Sequence, residues 1–168
     1  TLALRVPEWA GGIFNVTWNG EPQACTAIKG YVSLTRKWKD GDVVAISMDL
    51  CTRVVELNSM QAVIRGPLVF ARDSRFGDGF VDESAVIQAD ESGCVDAVPS
   101  IAGDSFNWLD LQVPMVLGAN LEDPEEKSVR LIHFCDFASA GNDWDRSGRY
   151  RVWIPKTLHV MSEPYHRY

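Results

Sequence analysis

The sequence predicts an all-β protein made of two small antiparallel β-sandwiches, the first over residues 1–72 and the second over residues 73–168. Three observations carry that prediction. Apolar residues recur with a period of two rather than 3.6. Turn-forming clusters arrive about every 8–12 residues through the first part of the chain, the rhythm of an all-β fold. No stretch of helical length carries an apolar stripe at helical spacing, the nearest being one short turn around Val81, Ala85 and Val86.

The strands follow in order. Leu2, Leu4 and Val6 alternate with Ala3 and Arg5, and Pro7 ends the run. Phe14, Val16 and Trp18 alternate with Asn15 and Thr17. Asn19-Gly20 then supplies two residues that tolerate positive φ, the strongest short hairpin signal. Tyr31 to Trp38 reads as a third strand, Lys39-Asp40-Gly41-Asp42 as a turn and Val43 to Leu50 as a fourth strand. Cys51 to Leu57 and Gln61 to Ile64 continue the series into Arg65-Gly66-Pro67, where the proline removes a ladder donor, and Leu68 to Ala71 follows. From residue 73 the texture changes to turn clusters such as Phe76-Gly-Asp-Gly79 and Asp90-Glu-Ser-Gly93, which suggests a domain junction near residues 72–80. Strands return at Trp108 to Val113, Ser128 to Phe134 and Tyr150 to Ile154, the last closed by Pro155. Asp123-Pro-Glu-Glu126 is a loop.

Composition narrows the function classes. The 168 residues carry 16 Lys+Arg against 23 Asp+Glu, a net charge of −7. Such a surface repels nucleic-acid phosphates and anionic lipid, so neither nucleic acid nor a membrane is an expected partner. The apolar runs are far shorter than the ~20 residues of a membrane-spanning helix. The four cysteines, at 25, 51, 94 and 135, contain no CxxC pair, which removes a zinc ribbon or a thioredoxin-type site. They are expected to be buried or half-buried thiols, with one disulfide left open. The chain starts in mid-strand and without Met, so it reads as a piece of a longer protein whose localisation is not legible.

Candidate sites are few. Asp143, Asp145, Ser147 and Gly148 match the first half of a calcium loop, but the position of its closing glutamate is Ile154, so a polar turn is the expected reading. Asp78, Asp82, Glu83, Asp90, Glu91 and Asp96 form an acidic stretch that would serve glycoside hydrolysis only if two of its carboxylates faced each other at about 5–10 Å. His133, His159 and His166 are scattered, with no nucleophile motif beside them. Tryptophan faces stack on sugars but also fill sandwich cores. Trp18 and Trp38 read as core. Trp144, with Asn142 beside it in a polar loop, is the candidate carbohydrate contact, the basis of a second reading as a carbohydrate-binding module using exposed aromatics. No catalytic and no cofactor-binding residue is expected, and Arg36 and Arg65 are expected to pair with Asp40, Asp42 or Asp73.

One ordered set of residues is specific. Leu4-Arg-Val-Pro-Glu-Trp-Ala10, Val16-x-Trp-Asn-Gly20, Gly30-Tyr31, Leu34-Thr-Arg-x-Trp38, Asp40-Gly-Asp-x-Val44, Arg53 and Ala62-Val-Ile-Arg-Gly-Pro-Leu-Val-Phe-Ala71 together resemble the C-terminal region of glycoside hydrolase family 127, the β-L-arabinofuranosidase-like enzymes. Phe137 to Asn142 and Tyr150 to Pro155 resemble the tail of the same proteins. The resemblance implies two β-sandwich domains behind an (α/α) barrel that holds a zinc-bound cysteine nucleophile and a glutamate acid/base. None of those positions falls in the matching region. The resemblance therefore implies a non-catalytic accessory region, with the zinc in the absent barrel. Its partners would be that barrel and a second copy in a homodimer, and the parent would act on plant-type glycans. It also implies that a strand pair precedes Leu4, so that the first sandwich is incomplete at its N-terminal edge and less stable alone.

Overall fold

A computed structural model describes residues 1–10, 14–100, 107–118, 129–142 and 147–156. The fold is all-β, with fourteen strands among the described residues. The chain divides into two compact units, Thr1–Cys51 and Thr52–Tyr168. The division falls ahead of the junction near residue 72 that the change of texture suggests, and strand Leu68–Asp73 runs through that position. The reason is pairing. The three strands between residues 52 and 73 zip onto one another and then onto a strand beyond residue 129, so turn-rich composition after residue 73 marks long loops inside one sheet.

The first unit is a small sandwich. Strands β1 (Leu2–Arg5) and β4 (Tyr31–Leu34) form one antiparallel pair. Strands β2 (Phe14–Trp18), β3 (Glu21–Gln23) and β5 (Val44–Met48) form a three-stranded sheet with β2 central. Alternation sends Val16, Val32 and Leu34 into a shared core, flanked by Leu4, Val6, Phe14, Cys25 and Val44. The β2–β3 hairpin turns on Asn19 and Gly20, at φ 50° and 87°. Two positive φ values in succession are what a primed turn requires to match strand twist. Asn19 also reaches β5, its Nδ2 donating to Asp42 at 2.9 Å and its Oδ1 accepting from the Val43 N–H at 2.8 Å. The Asn19 bond most of all, and then the Lys39 N–H that donates to the same carboxyl at 2.8 Å, hold Asp42 below its ordinary range. Gly20→Ala places a Cβ on a positive-φ backbone and is expected to cost the first unit about 1 kcal/mol, read by urea unfolding.

Trp18 and Trp38 are not core residues. The Arg36 guanidinium lies 4.0 Å from the Trp18 ring centre and 5.7 Å from that of Trp38, and Trp38 is 38% exposed. Arg36 spends its hydrogen bond on Gln23 Oε1 at 2.7 Å, not on Asp40 or Asp42. A period-two pattern places a residue on a face but does not say which face is covered. Trp18 shares the face of β2 that carries Phe14 and Val16, but at the end of the strand, where Arg36 covers it in a cation–π stack.

The second unit is built on a nine-stranded antiparallel sheet. Its path runs β10 (Val98–Ser100), β11 (Asp110–Leu117), β12 (Arg130–Asp136), β8 (Leu68–Asp73), β7 (Met60–Arg65), β14 (Ile154–Pro155). Strand β6 (Thr52–Leu57) pairs with β7, β9 (Ala85–Ile87) with β11 and β13 (Tyr150–Arg151) with β8. The sheet curls around a single core containing Val63, Phe70, Val113, Met115, Phe134 and Ile154, each fully buried. Gln61, 1% exposed, joins two strands that are not neighbours in the ladder. Its Nε2 donates to the Ala85 carbonyl at 2.7 Å and its Oε1 accepts from the Ile87 N–H at 3.1 Å, so one side-chain amide stands in for a strand pairing between β7 and β9.

Three details depart from the sequence reading. Residues 85–87 are a strand rather than a helical turn. Strand β11 continues through Pro114, because its neighbour changes there from β10 to β9. Pro114 stays in register with Leu131 of β12, and its carbonyl accepts from the Gln88 N–H at 2.9 Å, so the strand runs on with a single donor missing. Third, Cys51 and Cys94 are each disulfide-bonded, while Cys25 and Cys135 are free thiols. Cys94 also forms an isolated backbone bridge with Arg53 of β6, which holds the turn at residues 90–94 beside the start of that strand. Reducing the disulfide-bonded cysteines, or replacing Cys94 with serine, is expected to lower stability by about 2–4 kcal/mol in urea titrations run with and without reductant.

Candidate functional site

The acids of the second unit are spread over separate local roles, the acidic stretch included. Asp78 accepts from the His133 backbone N–H at 2.7 Å and lies 3.3 Å from His133 Nδ1. It caps a β12 donor where β8 leaves β12 to pair with β13. His133 is in turn stacked on Phe76 and bonded to Gln112 at 3.0 Å. Asp82 is paired with Arg151 at 2.6 Å and Arg149 at 3.8 Å. Asp90 closes its own turn, accepting from Ser92 and the Cys94 N–H, which holds its carboxyl low, the Ser92 hydroxyl contributing most. Glu83 lies near buried Arg72 across Gly79. Burial depresses the Arg72 guanidinium pKa, and the charges of Asp78 and Glu83 work against that shift. Glu91 and Asp96 are exposed. These acids serve local structure and are not gathered around one point.

The densest polar cluster lies at the end of β8. Asp73, with its side chain 1% exposed, pairs with Arg75 at 2.9 Å and accepts from the N–H groups of Arg75 at 3.0 Å and Gly141 at 2.7 Å. Burial raises its pKa, but the Arg75 bonds and the Gly141 N–H together outweigh that, and the carboxyl stays below its ordinary range. The same guanidinium donates to Asn107 Oδ1 at 3.0 Å and the Ser139 carbonyl at 2.9 Å. Cys135 sits against this cluster, and burial pushes its thiol up to about 12. A thiol held neutral in that way is a poor nucleophile and a poor zinc ligand. Iodoacetamide at pH 8 is accordingly expected to modify half-buried Cys25 well before Cys135, read by peptide mass spectrometry.

Beside the cluster lies an apolar groove of about 410 Å³, lined by Leu68, Trp108, Leu109, Asp136 and Ala138. Trp108 is 88% exposed. Its backbone is held firmly, since the Trp108 N–H lies 3.2 Å from Asp136 Oδ2 and 3.1 Å from Ser139 Oγ. Asp136 also accepts from the Leu109 N–H, the Ser139 N–H and the Ser139 hydroxyl, so its carboxylate is committed inside the turn.

The residues singled out in the sequence fall elsewhere. Asp143, Trp144 and Asp145 lie outside the described residues, as do His159, His166 and the 123–126 loop. Asn142 is exposed, its N–H bonded to the Ser139 carbonyl at 3.2 Å, and Ser147 is exposed in a turn. Among the described residues no group of three or more His, Cys, Asp or Glu is placed to hold a metal ion. With two cysteines disulfide-bonded and Cys135 held neutral, the described residues do not fit zinc. Trp108 was missed because it reads as the first residue of a strand. Its signal was phase, since it falls out of step with Leu111, Val113 and Met115, the buried face of β11.

This architecture is similar to parts of solved glycoside hydrolases. A solved glycoside hydrolase matches 92% of the chain at 27% identity with a TM-score of 0.68, the chain spanning 27% of its length. A GH127 β-L-arabinofuranosidase from Geobacillus stearothermophilus T6 matches 92% of the chain at 21% identity, with a TM-score of 0.67 over 26% of its own length, and shares the fold. The chain is also similar to proteins of glycoside hydrolase family 127. Residues 1–50 match the family model "Beta-L-arabinofuranosidase, GH127 middle domain", ending one residue short of the first compact unit. The "Non-reducing end beta-L-arabinofuranosidase" of Bifidobacterium longum subsp. longum is 32% identical over 116 residues, 58% of this chain. The chain spans 18% of that relative's length.

Proposed function

We propose that the chain is a non-catalytic accessory region of a β-L-arabinofuranosidase-like glycoside hydrolase, which supports a separate catalytic barrel in the same polypeptide. The observation that carries this reading is the use of the acids. Asp73, Asp78, Asp82, Asp90 and Asp136 are each engaged in a cap, an ion pair or a turn, and none is presented with a partner carboxylate across a cleft. The relatives supply the class of parent, and the share of their length that the chain spans supplies the need for a further part. In this reading the substrate is an arabinofuranosyl glycoside, and any zinc belongs to the barrel.

Deleting residues 1–156 from the full-length polypeptide tests it. The expected result is a large loss of soluble yield and thermal stability, with the KM for an aryl β-L-arabinofuranoside unchanged in whatever fraction stays folded. Full stability together with a raised KM would mean that this region contacts substrate. That outcome would favour the carbohydrate-binding reading.

A further inference from the structure

We infer that the groove centred on Trp108 is the face on which the rest of the parent polypeptide docks, through an uncharged, aliphatic projection of that polypeptide. The inference rests on the accessory reading above and adds to it the surface involved. Trp108 at 88% exposure stands beside Leu109 at 46% and Leu68 at 37%, an aromatic anchor with an apolar surround. Contiguous apolar surface of this kind marks an interaction site, and tryptophan is among the residues that dominate binding at such sites. The exposure is built into the turn, because Asp136 and Ser139 fix the backbone on either side of the indole.

The chemistry of the groove selects the occupant. A sugar needs donors and acceptors for its hydroxyls, and the one charged residue lining the groove, Asp136, has both carboxylate oxygens occupied by its own turn. A transient protein partner is usually steered by charge, which the groove does not offer. A second copy would bring another chain of charge −7. A surface tethered in the same polypeptide needs no steering, because its effective concentration is high at all times. The solved glycoside hydrolase leaves room for such a surface, being nearly four times as long as the stretch this chain spans, as 27% coverage implies. The volume of about 410 Å³ suits a cluster of a few aliphatic side chains.

Hydroxyl-radical footprinting tests this on two samples, the full-length polypeptide and the 168-residue chain. Fully buried Met115 serves as the internal check that each sample is folded. The expected result is oxidation of Trp108 about tenfold slower in the full-length polypeptide, with no protection in the 168-residue chain at any concentration. Equal oxidation in both would overturn the proposal. So would protection in the 168-residue chain that grows with its concentration, which identifies a second copy, or protection on adding arabino-oligosaccharide, which identifies a sugar. Trp108→Ser should lower the Tm of the full-length polypeptide by several degrees and leave that of the 168-residue chain unchanged, and an equal effect on both would also count against docking. The accessory reading fails separately, by hydrolysis of an aryl arabinofuranoside in the 168-residue sample. Equal Trp108 oxidation without such hydrolysis would remove the docking face alone.

Discussion

Asp73→Ala is expected to destabilise the second unit by about 3–5 kcal/mol, because it leaves the Arg75 guanidinium without its buried counter-charge. Three segments meet on this one carboxylate: the end of β8, the short turn at Ser74–Phe76 and the turn at Gly141. Asp73 also caps that first turn, its side chain accepting from the Arg75 N–H. Asp73→Asn keeps the shape and part of the hydrogen bonding but removes the charge, so it should cost less than alanine. The pH dependence has a definite sign. The folded carboxyl sits below the unfolded value of about 3.9. Its contribution is therefore fully present above that value and is lost as pH falls through the folded one. Urea midpoints measured between neutral pH and acid should fall for the parent chain, and fall less for Asp73→Asn. An identical acid slope in both proteins would show that the Asp73–Arg75 pair does not stabilise the fold.

Gln61→Leu is the second large effect, expected at about 3–5 kcal/mol in the same assay. Leucine preserves most of the volume but leaves the Ala85 carbonyl and the Ile87 N–H without their partner in a buried setting, each worth roughly 1–3 kcal/mol. The loss should be local first. Amide exchange at Ile87 is expected to accelerate more than exchange at Phe134, on β12, which the ladder holds on both sides. A smaller global loss with unchanged exchange at Ile87 would mean that β9 is held by β11 alone.

How much of this was legible in the sequence depends on the range of the interaction. Local chemistry was readable. Asn19-Gly20 makes the turn its residues demand, and Gly66, at φ 56°, turns the chain between β7 and β8. The alternation of Leu111, Val113 and Met115 marks the buried face of β11. What failed was long-range. The junction near residue 72 was drawn from turn density, but turns do not reveal that β8 pairs with strands from both ends of the second unit. The strand read over Trp108 to Val113 runs on to Leu117, and no local pattern shows its neighbour changing from β10 to β9. Arg53 and Cys94 lie far apart in the chain, and no local pattern shows the bridge that pairs them. Arg36 was assigned an acidic partner on charge alone, and the aromatic pair Trp18 and Trp38 took it instead.

The site follows the same division. A resemblance to family 127 was readable from ordered short motifs, and the family-model match over residues 1–50 agrees with it. Which face of the molecule does something was not readable. Exposure of Trp108 is set by the Asp136–Ser139 turn, and that turn reaches Trp108 only through tertiary structure.

The central claim is that these residues build and dock a scaffold while the reacting groups lie in another part of the polypeptide. Its most direct test is the turnover of an aryl β-L-arabinofuranoside by the purified, folded 168-residue chain. The account predicts a rate indistinguishable from buffer, with added zinc making no difference. Measurable turnover that disappears on replacing Asp78 or Glu83 with the corresponding amide would contradict it, because those acids would then be reactive groups rather than parts of the frame.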